Sequence, residues 1–299
     1  MFDSTPASAT VDPDGERLTL GRVALRPRRA GIPRTLRTPG AVVGVTLMAG
    51  LIGVGVLADV IAPGDPFATV GGALQAPSLA YPLGTDDLGR DLASGVIHGI
   101  RTSLIVALGV AVLALPVGLV LGVLAGARGG WLDDLVMRFS EIWQVLPRFF
   151  LALMVIALFG PGLDRVVLVL GLTSWALLAR IARAEVLSLR EREFVEAARA
   201  LGVSEFRVIT RHMLPHVLPA VIVYVALLLA QVCLVEASLG FLGLGDPNAI
   251  SLGYLAAQAQ RFLRVAWWMW FFPGVALVSL VIGLNLLADA LTDRIRAGR

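Results

Sequence analysis

The chain has 299 residues, is 57% hydrophobic and only 16% charged, and has a mean hydropathy of +0.81. A soluble protein of this size has no interior able to hide so much apolar side chain, which excludes a soluble enzyme or binding module and leaves a polytopic membrane protein. All 25 basic residues are arginine and sit at the edges of apolar runs, so the basic balance is no sign of nucleic-acid binding, and the lone Cys233 excludes a disulfide framework or a cysteine-rich metal site.

Residues 1–40 are polar, mixed in charge and rich in Pro, Thr and Arg. This lead-in is too long and too mixed for a secretory signal and reads as a cytoplasmic tail. Residues 41–60 are the first predicted span, close to the roughly 20 residues that cross a bilayer. A polar loop follows to about Thr102. Within it, the run Gly84-Thr85-Asp86-Asp87-Leu88-Gly89-Arg90-Asp91 matches no calcium-loop spacing, and its two glycines point to a structured turn. His98, His212 and His216 are too scattered for a metal-ligand set, so neither a metal nor a cofactor is expected. Residues 103–127 form the second span, with Pro116 a predicted kink.

The middle of the chain is less regular. Residues 149–163 and 166–179 are uncharged, but each run reaches only roughly 20 Å against a hydrocarbon core of about 30 Å. The third span is therefore expected to begin near Phe139 and to take Glu141, Gln144 and Arg148 on an interior face. The fourth is expected to run to about Arg183, its arginines snorkelling to the interface. Arg148 has three readings: a pathway residue attracting a substrate carboxylate, a partner of Glu141 two turns away, or a snorkelling side chain. The fifth span, 217–235, meets Glu236, which reads equally as an external gate residue or as the bearer of a structural hydrogen bond. A glycine-rich loop and a shallow segment lead to the sixth span, 265–288, opened by Trp267, Trp268 and Trp270 as an interface belt. Residues 290–299 are a charged tail.

Between the fourth and fifth spans lies a charged, helix-favouring island, residues 185–215. Phe194, Ala197, Ala198 and Leu201 fall on one helical stripe, Gly202 is placed to end that helix, and Ser204 to cap another. The second helix carries Phe206, Ile209 and Met213 and is expected to stop at Pro215. An alanine-centred stripe suits docking against protein better than insertion into lipid. Six spans put both termini on one side. That side, with the island, carries seven, two, seven and three of the 25 arginines in its four segments. The positive-inside rule then places termini and island in the cytoplasm.

Glu196-Ala197-Ala198, then Gly202, then His212-Met213-Leu214-Pro215, resembles the EAA loop of bacterial ABC-importer permeases. The Gly84 to Asp91 run, Glu236-Ala237-Ser238-Leu239-Gly240-Phe241-Leu242-Gly243-Leu244-Gly245 and Asn285-Leu286-Leu287-Ala288-Asp289 are similar to the dipeptide, oligopeptide and nickel branch, and to its C-type subunit. The likeness covers roughly Thr38 to the end. Gly240 stands where serine is more usual, Leu252 where tryptophan is common, and Ala288 and Ala290 where glycines are often seen.

The resemblance implies an all-α type I importer fold spanning residues 41–289, in the bacterial inner membrane. A second permease subunit completes the pathway across the lipid bilayer, cytoplasmic ATP-binding subunits dock on the EAA loop, and an extracytoplasmic binding protein delivers cargo. Glu196, Ala197, Ala198, Gly202, Leu214 and Pro215 are then the ATPase-coupling residues, and Arg148 and Glu236 pathway or gate residues. With no lysine the chain has no Walker A loop, so it is not expected to be an enzyme. Peptides are the expected cargo, with nickel or a metal chelate the alternative. An ion-coupled secondary transporter is the competing class, marked by discontinuous helices and paired intramembrane acids.

Overall fold

The computed structural model describes residues 39–145 and 147–298; the expected N-terminal tail lies outside the described residues. The helices are α1 (Pro39–Val56), α2 (Ala58–Ile61), α3 (Leu92–Arg128), α4 (Gly130–Val145), α5 (Arg148–Phe159) and α6 (Leu163–Arg190). They continue as α7 (Glu193–Ala200), α8 (Glu205–Arg207), a π-turn over Val208–Met213, α9 (Leu214–Phe241), α10 (Leu252–Ala259) and α11 (Trp267–Gly298). Among the described residues, five stretches are long and apolar enough to cross a membrane: α1, α3, α6, the continuous rod Glu205–Phe241, and α11. The pair α4 and α5, bent by 71°, makes a sixth if it is one span.

The bend corrects the expected third span, which is two helices rather than one beginning near Phe139. Pro147 is the cause. It sits in an extended conformation (φ −63°, ψ 116°) directly before Arg148, lacks the N–H that a continuing helix needs, and its ring disfavours helix in the residue ahead of it. α3, by contrast, runs unbroken past Pro116.

The core is the seam between α3 and α6. Gly118, Gly122 and Gly126 recur every fourth residue along α3, so they form one row on its surface. A β-carbon on Gly118 would lie 2.5 Å from that of Leu178, and one on Gly126 would lie 2.8 Å from Val186. One on Gly122 would run into the Ala179 carbonyl. Ala179, Ala182 and Val186 are fully buried opposite that row. Without a hydrophobic driving force between helices in lipid, such backbone proximity supplies the association through packing.

α4 is held to α6 by ion pairs. Arg183 makes a two-pronged pair with Asp133, one prong 2.6 Å, and Arg180 meets Glu141 at 3.2 Å. Phe139 stacks on Trp175 at 5.8 Å. Arg180 and Arg183 thus reach across to α4, where snorkelling to the interface had been expected. A charge paired in this way loses less on leaving water than one left alone.

The bundle has two distinct ends. At the loop end, the Leu163 amide donates to Asp246, Trp268 Nε1 donates to the Thr85 carbonyl (3.1 Å) and Arg90 donates to the Tyr254 hydroxyl (3.3 Å). These bonds gather the starts of α3, α6 and α11 and the end of α9. At the helix-pair end lie the close of α6 and the segment 193–213. The first turn of α1 and the last of α11 also lie there, since Gly44 packs on Leu286 while Gly55 packs near Arg101.

Candidate functional site

The helix pair is closed by its own backbone. Leu201 caps the end of α7, and Gly202 takes φ 76°, the left-handed conformation that costs glycine least. The Gly202 amide then donates to the Arg199 carbonyl (2.9 Å) and the Val203 amide to the Ala198 carbonyl (3.1 Å). This is the Schellman closure, with Ala198 in the core and Val203 packed against that core. Ser204 starts the second helix through its backbone, accepting from the Arg207 and Val208 amides, and its side chain makes no capping bond. Arg199 and Glu205 pair across the turn at 2.8 Å.

Of the predicted stripe, Phe194, Ala197 and Leu201 are exposed, as a docking face requires, and Ala198 alone is buried. Val195 and Ala198 are the residues turned into the bundle, whereas Phe194, Glu196, Ala197 and Leu201 are exposed, Leu201 at 84% and Phe206 at 79%. Periodicity reveals that a stripe exists without saying whether it faces the chain's own core. Pro215 does not end the second helix, as had been expected. The π-turn before it spaces the carbonyls five residues from their donors, and Pro215 falls in the first turn of α9, where its missing N–H is tolerated. Leu214 is partly buried there. Among the described residues no side chain bonds Glu196.

A second feature lies half-way through the bundle. A cavity of about 440 Å³ is walled by Arg148, by Leu170 and Ser174 of α6, and by Gln231, Val232, Leu234 and Val235 of α9. The Arg148–Glu141 pair, one of the three readings, does not form, because Pro147 breaks the helix and Glu141 is taken by Arg180. An arginine unpaired at this depth costs about 2.5 to 3.5 kcal/mol on insertion scales, so it needs water, a ligand or a neighbouring chain. Glu236 is elsewhere. Only 3% exposed, it accepts from the Ser103 hydroxyl (2.9 Å) and ties α9 to α3.

The Gly84 to Asp91 run is a turn built on its carboxylates. Asp86 Oδ1 accepts from the Leu88 and Arg90 amides, both at 2.8 Å, and Asp91 caps α3 through the Ala93 and Ser94 amides. Burial pushes the Asp86 carboxyl above its ordinary range, opposed by the two amide bonds. Sequence reasoning passed over Ser174, Tyr224 and Gln231. Their signal was present, as polar side chains inside otherwise apolar runs.

Residues 118–298 match the family described as the inner membrane component of binding-protein-dependent transport systems. The chain belongs to this family. It is 33% identical over 272 residues to the dipeptide transport system permease protein DppC of Alkalihalophilus pseudofirmus (strain ATCC BAA-2126 / JCM 17055 / OF4), covering 90% of each chain. It is 38% identical over 273 residues, 91% of this chain and 90% of the other, to a Brucella suis biovar 1 (strain 1330) protein provisionally named a peptide transport system permease. A chain of the MetNI methionine ABC transporter, in an inward-facing crystal form, shares the fold with a TM-score of 0.52 at 23% identity, covering 70% of this chain and 96% of that one. The chain is thus a multi-pass permease of the bacterial inner membrane, with an ABC importer permease fold. The broken helix at Pro147 is a feature expected of ion-coupled carriers, and family membership removes that reading.

Proposed function

We propose that this permease forms one half of a peptide pathway and turns ATPase closure into alternating access. The observation that carries the reading is the helix pair. It is closed by backbone bonds and the Arg199–Glu205 pair, keeps Glu196, Leu201 and Phe206 on its surface, and passes without interruption into α9. A partner gripping α7 and the turn at Gly202 therefore holds the foot of a spanning helix. Cytoplasmic ATP-binding subunits are that partner, and Glu196 is available to them for a charge-assisted bond. Their closure carries the pair and rocks α6 and α9. Leu214 and Pro215 form the joint between pair and span. The arginine bias of this end supports a cytoplasmic location for it and for both termini.

A second permease completes the route, an external binding protein supplies cargo, and the names of the relatives favour peptides. The test is co-purification and uptake. A β-carbon at Gly202 meets nothing of this chain within 4 Å but is strained at φ 76°, so Gly202→Asp is expected to insert normally, distort the turn, lose its ATPases and abolish ATP-driven uptake. Full transport by that variant would sink the coupling.

A further inference from the structure

We infer that the cavity beside Arg148 is a subsite of the translocation route that receives the free C-terminal carboxylate of a peptide in transit, an inference that rests on the peptide-permease reading above. Its depth comes first. Leu163 and Phe241 mark the loop end, and at 1.5 Å per residue Ser174 and Gln231 each lie about 15 Å inward. That is midway through a core of about 30 Å. A surface turned to lipid at that level would be hydrocarbon, yet Arg148, Ser174 and the exposed amide of Gln231 meet here.

The Ser174 hydroxyl is spent on the Leu170 carbonyl (2.6 Å), and the donors left over, on Arg148 and Gln231, suit an anion. Arg148 has no ion pair among the described residues, while Arg180 and Arg183 on α6 are matched with carboxylates. It is also the first residue of the 12-residue α5, so the unpaired amides and positive dipole end of that helix lie beside its charge. Tyr224, two turns from Gln231 on the same face of α9, has a buried hydroxyl whose oxygen lies beside the Arg148 guanidinium, a donor, and whose proton meets no acceptor among the described residues. Buried polar groups are nearly always satisfied, so this proton is a donor awaiting an acceptor. A carboxylate accepts only, and it matches the guanidinium fork in two bonds. Leu170 and Val235 leave an apolar wall for the terminal side chain.

The test uses the whole complex (permease pair, ATPases and binding protein) in proteoliposomes supplied with a dipeptide and its C-terminal amide. The acid-to-amide uptake ratio is measured at saturating loaded binding protein. Comparing that ratio between the unmodified complex and Arg148→Gln cancels selection made by the binding protein. We expect it to fall about tenfold or more, the scale of one lost charge-assisted hydrogen bond. Arg148→Lys, which keeps the charge without the fork, should be intermediate. Tyr224→Phe should lower the ratio by about threefold, the scale of one neutral hydrogen bond. An unchanged ratio in Arg148→Gln, or an equal fall for acid and amide, overturns the subsite. So does failure of Arg148→Gln to assemble where Arg148→Lys assembles, which would give the charge to a carboxylate of the neighbouring permease. No ATP-dependent uptake by the unmodified complex would instead sink the functional reading itself, and this inference with it.

Discussion

At the loop end of the bundle, carboxylates are tied to the chain's own backbone: Asp86 to the amides of Leu88 and Arg90, Asp91 to those of Ala93 and Ser94, Asp246 to those of Leu163 and Asn248. At the helix-pair end, backbone bonds close the turn with one exposed ion pair, Arg199–Glu205, across it, and Glu196, Leu201 and Phe206 are left on the surface. The loop end is built by its side chains. The helix pair is built mainly by its backbone, so Glu196, Leu201 and Phe206 stay available to another molecule. A substitution at the first end should therefore be felt as stability, and one at the second as association.

The largest effect should come from Asp86→Ala. It leaves two amides without their acceptor at a site only 3% exposed, a loss of about 2 to 4 kcal/mol, read as a lower thermal midpoint of the purified complex. Glu196→Ala should change the midpoint by less than about 0.5 kcal/mol while weakening ATPase retention. Equal destabilisation by the two would break the comparison. Phe206→Ser should come next, leaving the midpoint of the permease alone in place and raising the dissociation constant for the ATPase about tenfold, as truncating an exposed anchor does. A titration of detergent-solubilised permease with ATPase measures it.

The smallest effect is a pH dependence at the loop end. The folded-state pKa of Asp86 is raised by burial, so the folded loop binds its proton more readily than the unfolded chain does. Its contribution to stability is greatest in acid and is lost as pH rises through the folded value. Protease resistance of the loop should increase as pH falls from neutral toward the carboxylate range. Asp86→Asn, which keeps the acceptor oxygen, should flatten that profile.

Much of this was legible in the residues. Length of apolar run marked the spans at α1, α3, α9 and α11, because crossing a bilayer is a matter of length and polarity, whereas α6 emerged only by extending a short apolar run into its arginines. Gly202 was legible because few residues other than glycine accept its φ. What escaped depends on rotation and on partners distant in sequence. Arg148 seemed to be within reach of Glu141 only on a continuous helix, and Pro147 removed that continuity. Arg180 and Arg183 seemed destined for the interface until α4 folded back beside them. Pro215 looked like a stop because the π-turn that accommodates it has no signature in composition. The Phe194 stripe was seen, but its orientation follows from Val195 finding a place in the core.

The stretch Glu205–Phe241 contains 37 residues without a break. At 1.5 Å per residue it is a lever about 55 Å long, and a sideways push of about 5 Å at its foot, with the far end held, tilts it by about 5°. Gln231 lies roughly seven-tenths of the way along that arm from the foot. A pivot at the loop end therefore moves it by only about 1.5 Å, whereas a pivot near the foot would swing it much further. The leverage at mid-bundle is set by where the rod is pinned, and the Ser103–Glu236 bond pins it at its far end.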